Sequence, residues 1–296
     1  MRVGERERER RGDDRPGPGV TLTRTINMST IFAPEIVDHV LGFLSSDYTT
    51  LKSCSTVFPQ LVDRHLYSHI TLRTPIMEDD TEPDEDDIYY AVQFPDFINQ
   101  LKQRPQILFC ILGVRVIITA MPAPLEHVTL EFLPIISSML PIFLKLQSIE
   151  LCAWGSFSWN ALGPEFCTAF QTCLRFPSIN QVMISNIDGF PLGSFDDCKN
   201  LKKLVLLSGQ FTDGEGVSTS SYPSLSSLRI GTEHSVESRP VSNFARIVSW
   251  MKSHTLQSLS LSIHRSMDLS NFQPLIGACS ATLVTLELNL SQCGEI

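Results

Sequence analysis

Residues 201–206 read LKKLVL, and the same apolar-x-x-apolar-x-apolar order returns six more times: ILGVRV at 111–116, LQSIEL at 146–151, INQVMI at 179–184, LSSLRI at 225–230, LQSLSL at 256–261 and LVTLEL at 283–288. Their starts are separated by 35, 33, 22, 24, 31 and 27 residues. A single hexapeptide of this kind says little about fold. Seven at quasi-regular spacing point to a repeat architecture, in which each hexapeptide is a short strand that buries its apolar side chains by stacking on the next unit. An eighth match, LEHVTL at 125–130, runs directly into the helical stripe Leu130, Leu133, Ile136 and Leu140, so it predicts a helix bridging the first two strands.

The segments between the hexapeptides agree with this reading. Helical periodicity appears at 164–175 (Phe166, Phe170, Cys173, Leu174), at 242–252 (Phe244, Ile247, Val248, Met251) and at 270–279 (Phe272, Leu275, Ile276). The connections 185–200 and 207–224 are rich in Gly, Ser and Asp and hold no sustained stripe. The expected fold class is therefore α/β. Residues 88–296 should form an irregular right-handed leucine-rich-repeat solenoid with a parallel sheet of about seven strands. After the last strand, near Leu290, six residues remain and hold no polar capping repeat, so the chain reads as truncated or closed by something else.

Working outward to the N-terminus, the character changes. Residues 1–29 alternate Arg and Glu and then run through Gly-Pro-Gly, which reads as a disordered tail. Between 31 and 72 lie three short apolar stripes at helical spacing. The first is Ile36, Val37, Val40, Leu41 and Leu44, opened by Pro34, with Glu35 and Asp38 near the positive end of the helix dipole. The second is Leu51, Cys54, Val57 and Phe58 with Asp47 as N-cap, and the third is Leu61, Val62, His65 and Leu66, started by Pro59. So small a unit buries too little surface to stand alone, and part of its apolar area must pack on the rest of the chain or on a partner. Residues 73–87 form an acidic linker.

The net charge of −9 comes mostly from that linker: 78–87 (EDDTEPDEDD) holds eight acids and no base. The body from 88 onward, with 13 basic and 15 acidic side chains, is nearly neutral and carries no electrostatic footprint for nucleic acid or a membrane surface. Hydrophobic residues make up 43% of the chain, enough for a sizeable core. The longest apolar run, 107–118, is broken by Arg115 and falls short of the roughly 18 residues of a membrane span. The first 19 residues hold no apolar stretch of a secretory signal. The eight cysteines form no CxxC pair and read as reduced thiols, so the expected location is cytoplasmic or nuclear rather than secreted.

The helical unit carries a resemblance. FAPEIVDHVLGFL (32–44), LKSCSTV (51–57) and RHLYSHITL (64–72) resemble the F-box of the large F-box protein families of mushroom-forming fungi, whose usual opening is Leu-Pro-x-Glu-Leu and whose box closes on an aromatic before an Ile-Thr-Leu strand. The chain keeps Pro34, Glu35, Ile36, Val40, Leu41, Leu44, Leu51, Cys54, Val57, Leu66-Tyr67 and Ile70-Thr71-Leu72; it departs at Ala33 and lacks the Trp after the second helix. The resemblance implies a three-helix F-box-like domain over 30–72 and a non-catalytic substrate receptor of a Skp–cullin–F-box ubiquitin ligase. Phe32, Pro34, Glu35, Ile36, Val40, Leu41, Leu44 and Leu51 would bind the Skp-type adaptor and through it a cullin, the repeats would hold a client protein, and other subunits would transfer ubiquitin. The alternative is a protein-interaction scaffold, or a decayed family member, that does not engage the adaptor.

Side chains alternate along a strand. With Val114, Ile149, Val182, Leu204, Leu228, Leu259 and Leu286 pointing into the core, Arg115, Glu150, Met183, Val205, Arg229, Ser260 and Glu287 point out and form the expected client-binding row. Gly113, Ser148, Gln181, Lys203, Ser227, Ser258 and Thr285 form the row before it. The mixed row has an apolar middle at Met183 and Val205, which suits a protein partner better than nucleic acid. No P-loop, G-x-S-x-G, H-E-x-x-H or G-x-G-x-x-G is present, and the seven histidines show no ligand spacing. No catalytic residue, metal or cofactor is therefore expected. Trp154 and Trp159 flank a Gly-Ser loop and read first as inter-repeat packing, with a recognition hot spot as the sharper alternative.

Overall fold

The three apolar positions of each hexapeptide dictate the architecture. In the computed structural model the described residues are 37, 40–41, 50, 53–54, 59–74, 94–119, 126–213, 222–231, 245–251, 255–263 and 272–290. Every one of the seven hexapeptides forms a strand that starts at its third residue: β2 (Gly113–Thr119), β3 (Ser148–Ser158), β4 (Gln181–Asp188), β6 (Lys203–Leu207), β8 (Ser227–Gly231), β9 (Ser258–Ile263) and β10 (Thr285–Leu290). They join β1 (His69–Arg73) in one eight-stranded sheet of order β1-β2-β3-β4-β6-β8-β9-β10, every pairing parallel. The chain is a mixed α/β protein. A two-residue pair, β5 (Phe190–Pro191) with β7 (Phe211–Thr212), forms a second small ladder.

The sheet takes in one strand more than expected, and from before the acidic stretch. Ile70 pairs with Val114 and Leu72 with Val116, so residues 69–73 belong to the sheet, and the boundary drawn at 72 cuts through it. Gly113 lets these strands close up: a Cβ there would lie 2.3 Å from His69 Cδ2 and 2.6 Å from Ser148 Oγ.

A backbone device repeats at each strand entry. The N–H groups of Gln147 and Ser148 both donate to the Leu112 carbonyl, those of Asn180 and Gln181 to Gln147, and those of Lys202 and Lys203 to Asn180. The same fork recurs from Ser226 and Ser227 to Lys202, from Gln257 and Ser258 to Ser226, and from Val284 and Thr285 to Gln257. Leu112 and Gly113 donate in the same way to Ser68, which makes YSHITL (67–72) the first unit of the series. Each fork satisfies two backbone donors that precede the regular ladder, where unpaired groups are costly.

Helices cover one side of the sheet: α2 (Phe94–Gln103), α3 (Glu126–Met139), α4 (Pro164–Leu174), α5 (Ala245–Met251) and α6 (Gln273–Cys279). The predicted bridging helix is α3, and α4, α5 and α6 fall where the stripes placed them. Between β4 and β6 a single 3-10 turn (Leu192–Phe195) replaces a helix, as the Gly/Ser/Asp-rich connection implies. Against the sheet, Trp159, Phe170, Phe190, Phe195 and Trp250 touch in sequence, with ring centroids 4.7 to 6.2 Å apart, giving one aromatic spine across several repeats. Asp196 locks it: the Arg246 guanidinium pairs with its carboxylate, Arg246 Nη1 donates to the Asp213 carbonyl at 2.6 Å, and Trp250 Nε1 donates to Asp196 Oδ1 at 3.2 Å. A buried carboxylate requires this full set of donors.

The predicted third helix of the N-terminal unit is α1 (Pro59–Leu66), and residues 37, 40, 41, 50, 53 and 54 are helical. Val37, Leu41, Val62 and Leu66 form a separate small core. Tyr67 touches both this core and the main one, stacks on Phe97 at 6.4 Å and donates to Gln100 Oε1 at 2.9 Å. With an Asp63–Arg104 ion pair it fastens α1 to α2. The tail 1–29 and the linker core 75–87 lie outside the described residues.

Candidate protein-interaction face

The outward side of the sheet presents side chains in registered rows. One row runs Thr71, Arg115, Glu150, Met183, Val205, Arg229, Ser260, Glu287. All seven expected client-binding residues therefore stand side by side, one per strand. Their inward neighbours Val114, Ile149, Val182, Leu204, Leu228 and Leu259 are at most 2% exposed, so the register holds. One member of the row and one inward residue depart from expectation. Val205 is only 7% exposed: a short side chain between the longer Met183 and Arg229 on adjacent strands, it forms the floor of the row. On β10, which has one strand neighbour among the described residues, inward Leu286 is 43% exposed.

The row is electrostatically uneven. Arg115 Nε lies 2.9 Å from Glu150 Oε2, across one strand spacing, and the two largely cancel. Arg229 and Glu287 are exposed, and Ser260 and Met183 are half-buried. In the row below, Lys203 is exposed, while Ser148, Gln181, Ser227 and Ser258 are half-buried polar groups. In the row above, Ser185, Leu207 and Ser262 are buried, so on β4, β6 and β9 the accessible face narrows to the two lower rows.

Trp154 departs from the packing expectation. It is 52% exposed at the upper end of β3, and the Arg73 guanidinium lies 3.8 Å above its ring centroid. Trp159 does pack as expected, 5% exposed and edge-on to Phe170 and Phe190. A second exposed apolar group, Phe109, Ile142 and Leu144, sits in the turns before β2 and β3, with Lys145 Nζ 5.6 Å from the Phe109 ring. Nothing in the hexapeptide pattern marks these residues, because exposure there depends on which turns lack a covering element.

Of the adaptor-binding set, Phe32, Pro34, Glu35, Ile36, Leu44 and Leu51 lie outside the described residues. Val40 is 51% exposed and available to a partner. Leu41 is 3% exposed, packed with Val37, Val62 and Leu66 in the small core.

Burial pushes the Cys173 and Cys198 thiols up to about 12 and that of Cys167 to about 11. These thiols stay protonated, hence weakly nucleophilic, at neutral pH. Among the described residues no group of three or more His, Cys, Asp or Glu is placed to hold a metal ion, and no helix is long and apolar enough to cross a membrane. No protein-family model matches the chain, and no curated protein matches it.

Proposed function

We propose that the chain is a substrate receptor of a Skp–cullin–F-box ubiquitin ligase. In this reading residues 30–72 form the F-box and dock on the Skp-type adaptor, with the adaptor leading to a cullin. The sheet is the strand layer of an irregular right-handed leucine-rich-repeat solenoid, and its outward rows hold a client protein. The chain supplies proximity, not chemistry: holding a client beside a transferring subunit raises its effective concentration there.

The observation that carries the reading is the sequential parallel sheet. Eight units of one hexapeptide pattern, entered through one repeated backbone fork, present a continuous outward face whose first strand follows directly on the F-box-like helices. Such a layout joins a helical docking unit to an extended binding surface. The rival reading, an interaction scaffold without a ligase, draws on Ala33 and the missing Trp.

Val40→Asp separates them. Val40 is exposed, so a carboxylate there leaves the unit folded but places an unpaired charge in any apolar adaptor contact. Capture of a purified Skp-type adaptor by the full chain should fall at least tenfold in the variant, with an unchanged circular dichroism spectrum. Equal capture by a folded variant overturns the proposed docking surface, and no capture by the unmodified chain favours the scaffold.

A further inference from the structure

This inference rests on the receptor reading of the outward face and names what that face would hold. Lys203 on β6 and Arg229 on β8 are exposed on neighbouring strands, Lys203 opposite Ser227 and Arg229 opposite Val205. Strand spacing and rise put their backbones roughly 8 Å apart on a diagonal. Neither meets a carboxylate among the described residues, unlike Arg115, which Glu150 neutralises.

Directly below, where β6, β8, β9 and β10 begin, Lys202, Ser224, Ser226, Thr255, Gln257 and Thr282 line an open groove of about 530 Å³. No acid lines it. Three of its hydroxyls are committed to carbonyls: Ser226 donates to Lys202 at 3.2 Å, Thr255 to Leu225 at 2.8 Å and Thr282 to Cys279 at 3.4 Å. The donors left for a ligand are Lys202, Ser224 and the Gln257 amide. Three cations with no acid between them among the described residues thus form one strip, on a chain whose net charge is −9.

We infer that this strip binds an acidic, extended peptide segment of a partner protein. Charge complementarity selects the sign. Residues two apart in an extended chain are about 7 Å apart, close to the Lys203–Arg229 diagonal, so carboxylates at i and i+2 fit the pair. Crossing the four strand entries takes about 14 Å, or four to five extended residues. Single-stranded nucleic acid fits less well, because it is held by aromatic stacking platforms between cations, and among the described residues no aromatic lines the groove.

A random-heptapeptide display selection on the full chain tests this. Selected peptides should be enriched in Asp and Glu at i and i+2. Their affinity by fluorescence anisotropy should drop at least tenfold in a Lys202→Ser/Lys203→Ser/Arg229→Ser variant, whose three sites are exposed and so leave folding intact, and should also fall with added salt. Absence of acidic enrichment, equal binding by the triple variant, or tighter binding of oligo-dT than of any selected peptide overturns the inference. A tenfold gain on replacing the eight acids of 78–87 by Ser would assign the strip to the chain's own acidic stretch and also overturn it. Adaptor capture is measured in parallel. Its loss with peptide binding intact sinks the ligase reading alone, and the reverse outcome sinks the acidic segment alone.

Discussion

Strands β6 and β10 carry nearly the same hexapeptide, LKKLVL and LVTLEL, yet their fates differ. Leu204 and Leu206 are fully buried; Leu286 and Leu288 are 43% and 47% exposed. The side chains are identical in kind and direction, so the pattern itself confers no burial. What differs is the neighbour: among the described residues β6 has a strand on each side, and β10 has only β9. The motif decides which way a side chain points, and the next unit decides whether it leaves water, the nearest-neighbour energetics expected of a stacked array.

The sharpest test of the comparison lies in the middle repeats. Asp196→Ala removes the carboxylate that pairs with Arg246 and accepts from Trp250, leaving a buried guanidinium without its counter-ion, which should cost about 3–5 kcal/mol. Urea unfolding measures it, and a loss below about 1 kcal/mol would show that the middle repeats do not depend on this lock. Next, Leu204→Ala should cost about 2–5 kcal/mol by opening a cavity among fully buried neighbours, whereas Leu286→Ala, already half in water, should cost under about 1 kcal/mol. Equal losses would break the comparison outright. A further test concerns pH. The Cys173 and Cys198 thiols have folded values near 12 against an ordinary 9, both raised by burial. Above pH 9 the unfolded chain releases these protons while the folded chain keeps them. Their contribution is thus fully present below pH 9 and lost progressively toward pH 12. Chemical denaturation at pH 8 and pH 10.5 should show the decline, and Cys173→Ala/Cys198→Ala should flatten it.

The strands and the inward register were legible because both depend on a local period of two, recorded within six residues. All seven hexapeptides became strands, and the decoy at 125–130 became α3, since a helical stripe continued past it. The eighth unit, YSHITL, fits the same pattern once Tyr67 counts as its first apolar residue, although the same stretch also resembles the end of an F-box. Helix α2 was equally readable from Phe97, Ile98 and Leu101, a stripe at helical spacing. Other features were not legible. Arg246 and Asp196 stand 50 residues apart, and only the path of the connections brings them together. Trp154 is exposed because it stands on the outward side of β3, at the register shift where β3 leaves its pairing with β4, and Val205 is buried because of what flanks it, which no window of local sequence contains. Of the candidate face, the membership of the row was readable, but the unpaired cations and the groove beneath them required the three-dimensional register.

The forked hydrogen bonds at the strand entries bear on how such a chain tolerates change. The first two units start 44 residues apart and two of the later ones only 22, yet both intervals end in the same two N–H groups on one carbonyl. Strand phase is therefore set anew at each entry and is not inherited from the length of the preceding connection. Residues gained or lost between units are absorbed before the next strand begins, so each connection is free to drift in length while the rows of the outward face stay aligned.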